Sequence, residues 1–122
     1  MFLDTNYLIA NTDANTAASR QIDEWIISGE PIHVSAMAWA EYLCGPITSD
    51  DEIKTALMLT SIEPIGAEVA SFAAQLFNKT GRRSRSLPDC IIGATAILAG
   101  QPLATLNRAD FEPFTAFGLT LA

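Results

Sequence analysis

The sequence contains little of the chemistry that zinc sites and disulfide-rich folds require. Among 122 residues there are one histidine, His33, and two cysteines, Cys44 and Cys90. The cysteines lie in apolar helical patterns without metal-like spacing, so we expect both to be buried free thiols in a reducing compartment. His33 lies within a strand pattern and is expected to be structural. A lone histidine in that setting argues against Ser-His-Asp and Cys-His mechanisms.

Long hydrophobic runs are also absent. No apolar stretch approaches the roughly 20 residues that a membrane helix needs. The amino-terminal segment lacks a charged region followed by an apolar one, so no signal peptide is expected. Apolar residues nevertheless make up 49% of the chain, which argues against a disordered protein. We therefore expect residues 1–122 to form a single domain in the cytoplasm, with no membrane association.

Positive charge is scarce. Seven Lys and Arg residues oppose fourteen Asp and Glu, and the formal net charge is −7. Such a balance argues against general polyanion binding, because phosphate contacts depend on Lys and Arg. Most of the basic residues nevertheless lie in the last third of the chain: Lys79, Arg82, Arg83, Arg85 and Arg108. The segment NKTGRRSRS therefore fits either a localised phosphate contact or a solvated polar loop between helices.

Short apolar runs alternate with helical segments along the chain. Strands are predicted at 2–3, 32–35, 62–65 and 102–106, with a short edge strand at 119–121. Helices are predicted at 14–28, 36–45, 50–60 and 88–100, with a further apolar helical stripe ending at Gly81. This alternation predicts an α/β fold, a three-layer α/β/α sandwich with a mostly parallel sheet of four or five strands.

Carboxylates follow the predicted strands at the sheet edge where parallel sheets bind ligands. Asp4 ends the first strand, Glu41 lies in the helix after the second, and Asp89 lies in the first turn of helix 88–100. Asn107 and Asp110 follow the fourth strand in TLNRADF. Taken singly, these residues fit a strand-closing turn, a solvated helix position, a helix-dipole contact and a loop. Together they would repel one another unless a cation neutralised them, and oxygen ligands favour Mg²⁺ or Mn²⁺.

Four segments in order, spread over essentially the whole chain, resemble the PIN-domain nucleases. They are LDTNYLIA, SAMAWAEYLCG, LPDCIIGATAILAG and LATLNRADF. The likeness is greatest to the VapC-type toxins of bacterial toxin–antitoxin (VapBC) pairs. It implies a metal-dependent endoribonuclease that uses Mg²⁺ or Mn²⁺ to hydrolyse phosphodiester bonds in structured RNA such as tRNA or rRNA. It also implies a cognate VapB-like antitoxin and a homodimer, and we expect no small-molecule organic cofactor.

The resemblance also implies roles for individual residues. The acids of the family correspond to Asp4, Glu41 and Asp89, which would hold the metal, Glu41 directly or through water. The fourth position falls on Asn107 or Asp110, and the sequence leaves that choice open. Supporting roles are implied for Thr5, Asn6 and Thr105. The candidates for RNA phosphate contacts are Arg82, Arg83, Arg85 and Arg108.

Two other functions would draw on the same residues. A Mg²⁺-dependent phospho-acceptor or phosphatase domain needs a nucleophilic aspartate with a lysine near the phosphate, but neither Lys54 nor Lys79 follows a convincing strand. The DTN motif also lacks the second aspartate of the phosphatases. A non-catalytic PIN-like module acting with a DNA-binding partner is the other alternative, and the intact set of acids counts against it without excluding it.

Overall fold

The computed structural model describes every residue from Met1 to Ala122. Its four strands are β1 (Phe2–Leu3), β2 (His33–Ser35), β3 (Ser61–Glu63) and β4 (Leu103–Ala104). Its seven α-helices are α1 (Thr5–Ala10), α2 (Ala17–Ile27), α3 (Ala36–Cys44), α4 (Ser49–Met58), α5 (Ala67–Lys79), α6 (Leu87–Ala99) and α7 (Arg108–Phe111). A 3-10 helix, Glu112–Phe117, follows α7. None of the helices combines the length and apolar character needed to cross a membrane.

The four strands form one parallel sheet in the order β3-β2-β1-β4. Phe2 is in register with both His33 of β2 and Leu103 of β4, so the first strand lies inside the sheet. The predicted α/β/α fold with a parallel sheet is confirmed, with four strands. The predicted edge strand at 119–121 is reduced to a single parallel bridge between Leu103 and Leu121.

Two apolar cores cover the two faces of the sheet. Phe2 and Leu103 belong to one core, whereas Leu3 and Ala104 belong to the other. This division follows from strand geometry, because successive side chains of a strand point to opposite faces. The first core contains side chains of α5, α6 and the 3-10 helix, and the second contains side chains of α1 and α2. The result is the three-layer arrangement.

Several element ends differ from the predicted ones, because side-chain caps determine them. Helix α2 begins at Ala17, where the Thr16 hydroxyl oxygen accepts the Ser19 N–H at 3.1 Å. Helix α4 is capped by Thr48, whose hydroxyl oxygen accepts the Asp51 N–H at 3.0 Å. Both caps satisfy a backbone donor that a helix terminus leaves free.

The prediction that both cysteines are buried is wrong for Cys44 and confirmed for Cys90. Cys44 ends α3, and the buried residues of that helix are Ala38 and Tyr42. At 100° per residue Cys44 lies about 200° from Tyr42, so its thiol points away from the core. An apolar helical sequence did not reveal which side of α3 faces solvent.

The side chain of His33 connects β2 to β3 through a hydrogen bond. Its Nδ1 lies 2.7 Å from Ser61 Oγ, and the Ser61 hydroxyl donates to Glu63 Oε1 at 2.6 Å. Since the serine proton is directed to Glu63, Nδ1 of His33 is the donor in the first hydrogen bond. Burial lowers the pKa of His33, with a further contribution from the amino terminus. This arrangement fits the structural role expected of His33.

Candidate active site

Asp4 directly follows β1 and is the N-cap of α1. One carboxylate oxygen, Oδ1, accepts the Thr5 N–H at 2.7 Å, and the other, Oδ2, accepts the Thr105 hydroxyl at 2.8 Å. Only 5% of Asp4 is exposed. A carboxylate with both oxygens hydrogen-bonded and little freedom to rotate is held in one orientation at the end of the central strand.

Thr105 joins the end of β4 to the end of β1. Because its proton goes to Asp4, its oxygen acts as acceptor for the Asn107 N–H at 3.0 Å and for Asn6 Nδ2 at 3.5 Å. Asn6 Oδ1 in turn accepts the Leu106 N–H at 3.0 Å. These hydrogen bonds fix the loop after β4 against the first turn of α1.

Glu41 reaches the same edge from α3. The Thr5 hydroxyl donates to Glu41 Oε1 at 2.8 Å, and Glu41 is exposed on that side. The next residue, Tyr42, is fully buried, and its hydroxyl lies 3.0 Å from the Thr55 hydroxyl. Burial of Tyr42 therefore sets the rotation of α3 that points Glu41 at the sheet edge.

A cavity of about 210 Å³ lies at this edge. Its walls are formed by Asp4, Thr5, Asn6, Ile9, Glu41, Asp89 and Asn107. Asp89 enters it from the first turn of α6. The structure thus brings three predicted carboxylates, two predicted supporting residues and one of the two candidates for the fourth position to one cavity, with Thr105 directly behind Asp4. Their roles in metal binding and catalysis stay predictions.

Asp110 does not line the cavity. It is exposed in α7, and its backbone carbonyl accepts a hydrogen bond from Arg83 Nη2 at 3.2 Å. Its charge still reaches the site, because it raises the pKa of Asp89. Of the two candidates for the fourth position, Asn107 is the one that lines the cavity.

The carboxylates repel one another inside a partly desolvated space. Burial, followed by the charges of Asp4, Asp110 and Glu41, raises the pKa of Asp89 to about 6, and Arg83 opposes the shift. Burial also raises the pKa of Asp4, against the hydrogen bonds from Thr105 and the Thr5 backbone. Raised pKa values show that the protein alone supplies too little positive charge for these carboxylates.

The donor chemistry of the cavity fits a divalent cation. Three carboxylates and the Asn107 side chain offer hard oxygen atoms and no thiolate or imidazole, which is the set preferred by Mg²⁺ and Mn²⁺. No three acidic, histidine or cysteine side chains are grouped closely enough to hold an ion as they stand. Asp4 and Glu41 are instead held by hydrogen bonds from Thr5 and Thr105.

The arginines lie outside the cavity. Arg82 and Arg85 are exposed, and the Arg82 guanidinium lies over the Phe77 ring at 5.9 Å. Arg83 is half-buried against Asp110. Arg108 donates to the Ala122 carbonyl at 2.5 Å. Only Arg82 and Arg85 therefore present guanidinium groups without a hydrogen bond to the protein backbone.

Sequence reasoning missed Ile9, the one hydrophobic residue of the cavity wall. It lies in α1, which was not predicted, and it is 50% exposed. The signal was present at Asp4, because an aspartate followed by TNYLIA fits an N-cap with an apolar turn behind it.

A second and larger cavity of about 380 Å³ is a groove between the end of α1, α2 and α4. Its wall residues include Asp23, Ile26, Asp51, Lys54 and Met58. The same helices carry large apolar side chains in solvent: Ile27 is 85% exposed, Leu57 82% and Ile53 59%. Apolar side chains at this exposure on two neighbouring helices are typical of an interaction surface.

The family model that describes the PIN domain matches residues 1–113. No curated protein matches the chain in sequence.

Solved structures of similar fold come from toxin–antitoxin complexes. One, a toxin–antitoxin complex from Klebsiella pneumoniae, has a TM-score of 0.72 and 29% identity over 90% of this chain and 88% of that one. FitAcB from Neisseria gonorrhoeae has a TM-score of 0.74 and 20% identity over 99% of this chain and 96% of that one. VapBC2 from Rickettsia felis, bound to a DNA fragment from its promoter, has a TM-score of 0.73 and 17% identity over 99% of this chain and 96% of that one.

Proposed function

The chain belongs to the PIN-domain family, and on that premise we propose that it is a Mg²⁺- or Mn²⁺-dependent endoribonuclease that hydrolyses phosphodiester bonds in structured RNA. The observation that carries the proposal is the convergence of Asp4, Glu41, Asp89 and Asn107 on one cavity at the carboxyl edge of a parallel sheet. Ligand sites lie at that edge in open α/β sheets.

Asp4, Glu41 and Asp89 would hold the cation, with Asn107 as the fourth ligand or as a partner of bound water. The cation would supply Lewis acidity, which activates water and stabilises charge on the phosphoryl oxygens. The chain's own residues do the orienting. Thr105 and the Thr5 N–H fix both oxygens of Asp4, and the Thr5 hydroxyl fixes Glu41.

Arg82 and Arg85 are proposed as the phosphate contacts of the RNA. Both are exposed in the segment that leads into α6, and they precede Asp89 by seven and four residues in the chain. An exposed guanidinium binds phosphate with two parallel hydrogen bonds, and both side chains are free to do so. They supply local positive charge on a protein whose net charge is −7.

We further propose that the protein is the toxin of a toxin–antitoxin pair in the cytoplasm, and that it forms a homodimer as its family resemblance implies. The likeness to solved toxin–antitoxin complexes supports an antitoxin partner. The groove between α2 and α4 is a suitable docking place for an amphipathic segment of that partner. In its wall, Ile26 and Met58 favour aliphatic side chains, and Asp23 and Asp51 favour basic ones.

Cleavage of total RNA in the presence of Mg²⁺ or Mn²⁺ tests the nuclease proposal. We expect the wild type to cut selectively, and Asp4→Asn and Asp89→Asn to lose at least a hundredfold in rate while melting cooperatively. The matched control is Asp13→Asn, at an exposed aspartate whose hydrogen bond from the Asn15 N–H an asparagine can keep. It should cut like the wild type.

Two results would contradict the proposal in different ways. Wild-type cleavage by the Asp4 and Asp89 variants would show that the site is elsewhere. Failure of antitoxin-free wild type to cut any RNA would favour the alternative, a non-catalytic PIN module that acts with a DNA-binding partner.

A further inference from the structure

The loop between α5 and α6 has an unusual backbone for its composition. Gly81, Arg82 and Arg85 have φ angles of 88°, 52° and 65°. Left-handed conformations are ordinary for glycine but unfavourable for arginine, so the two arginines carry a conformational cost. A cost of this kind persists only where the surroundings fix the loop.

Arg83, between the two left-handed arginines, is the residue that fixes it. Its backbone carbonyl accepts both the Ser86 N–H at 3.2 Å and the Ser86 hydroxyl at 2.7 Å. Ser86 is buried, and its own carbonyl accepts the Cys90 N–H at 2.9 Å. The Arg83 backbone is therefore tied to the first turn of α6, where Asp89 lies.

The Arg83 side chain is tied to the other half of the site. Its Nη2 donates to the Asp110 carbonyl at 3.2 Å, across from the loop that carries Asn107. Its Nε is the one buried side-chain nitrogen or oxygen in the protein without a hydrogen-bond partner. An unpaired buried donor is unfavourable, so the guanidinium is held inward by its position in the loop rather than by full hydrogen bonding.

We propose that Arg83 is a positioning residue, which sets the separation between Asp89 on α6 and the Asn107–Asp110 segment on α7. The proposal rests on the proposed function of the cavity. The role of Arg83 then differs from that of Arg82 and Arg85, which are exposed. Arg83 is then not an RNA contact, because its Nε is buried and its Nη2 is already bound to the protein.

Three measurements on Arg83→Ala and Arg83→Lys test this role. The first is hydrogen exchange of the Asp110 amide, which donates to the Asn107 carbonyl at 3.0 Å. The second is Mn²⁺ affinity by calorimetry without RNA. The third is kcat and KM for RNA cleavage.

We expect Arg83→Ala to exchange the Asp110 amide at least tenfold faster, to bind Mn²⁺ severalfold more weakly, and to lose at least tenfold in kcat with little change in KM. Arg83→Lys should recover part of each loss, because a lysine retains the charge but not the planar fork. If Arg83→Ala melts below the assay temperature, the three measurements are made on Arg83→Lys and the wild type alone.

Arg20→Ala is the matched control. Arg20 is exposed on α2 and also donates to a backbone carbonyl, that of Asn15 at 2.8 Å. This variant should leave all three measurements unchanged. Unchanged amide exchange and Mn²⁺ affinity in both Arg83 variants, with a raised KM, would overturn the proposal and assign Arg83 to RNA phosphate instead. If the wild type cuts no RNA, the nuclease proposal fails, while the exchange and Mn²⁺ measurements still decide the role of Arg83.

Discussion

At the scale of single residues, Asp4 and Asp89, the two aspartates of the cavity, differ in how they are held. Asp4 accepts hydrogen bonds on both carboxylate oxygens, from the Thr5 N–H and the Thr105 hydroxyl. The pKa of Asp89 is raised mainly by burial and then by the neighbouring carboxylates, and the charge of Arg83 lowers it. Asp89 is therefore the residue at which a missing cation should be felt most strongly.

The stability of the metal-free protein should consequently fall as pH rises. The pKa of Asp89 in the fold is about 6, above the ordinary 3.8, so the folded state binds this proton more tightly than the unfolded state. The stability from that proton is fully present below pH about 4 and is lost as pH rises through about 6. Asp89→Asn removes the titration. In chelator, we expect it to melt close to the wild type at pH 4 and several degrees above it at pH 7.5.

Thermal melts of both proteins with EDTA, at several pH values, check this expectation. Asp13→Asn, at an exposed aspartate outside the cavity, serves as the control for an Asp-to-Asn replacement at each pH. A melting difference between Asp89→Asn and the wild type that does not grow with pH would contradict the assignment.

The fourth position of the site gives a second prediction at this scale. Asn107 lines the cavity and Asp110 does not, although the charge of Asp110 acts on Asp89. We expect Asn107→Ala to lower the single-turnover cleavage rate by about 10- to 100-fold, a range typical of a group that positions reacting atoms. Asp110→Asn should lower the same rate by less than about tenfold. A larger loss of rate for Asp110→Asn than for Asn107→Ala would instead assign the fourth position to Asp110.

At the scale of elements, the contact between α6 and the 3-10 helix limits what can be changed near the site. A Cβ at Gly93 would lie 3.0 Å from Cδ2 of Phe114, which is fully buried. We expect Gly93→Val to destabilise the fold by about 1–3 kcal/mol, as overpacking of a core does. Gly93→Ala should cost less, because the gain in helix propensity, about 1 kcal/mol, offsets part of the contact.

Urea denaturation of the two Gly93 variants measures these costs. Gly66→Val is the comparison, since nothing lies within 4 Å of a Cβ at that position. Equal losses for Gly93→Val and Gly66→Val would show that Phe114 moves aside freely.

Element identity was more predictable than the direction of the side chains around the cavity. Alternating apolar runs were enough for β2, α3 and α6, and a motif resemblance brought Asp4, Glu41 and Asp89 to one edge. The predicted strand at 102–106 shrinks to Leu103–Ala104, because the Thr105 side chain bonds across to Asp4 where the strand ends. Whether Asn107 or Asp110 enters the cavity depends on where α7 begins, and helix boundaries are the least certain part of a sequence pattern.

At the scale of the whole molecule, the net negative charge limits the strength of the proposed contacts with RNA phosphates. With a net charge of −7 and only Arg82 and Arg85 proposed as phosphate contacts, few counterions are released on binding. For the non-cutting Asp4→Asn protein, we expect log affinity against log salt to have a slope of about −1 to −2. Removing Arg82 or Arg85 should reduce the slope by about 0.7.

Fluorescence anisotropy with a labelled RNA over a salt series gives this slope. Lys54→Ala is a suitable control, since Lys54 already pairs with Asp50 at 2.8 Å on α4. A slope steeper than about −4 would require a larger basic surface than these two arginines provide.

The strand order β3-β2-β1-β4 also bears on how the protein is made. β1 leaves the ribosome before its neighbour β4, and the Thr105–Asp4 hydrogen bond joins positions 101 apart. At roughly 5–20 residues per second, Asp4 waits on the order of 5–20 s for its partner. A nascent chain arrested before Leu103 should therefore lack the Thr105–Asp4 hydrogen bond, and translation itself delays assembly of the cavity until β4 has been made.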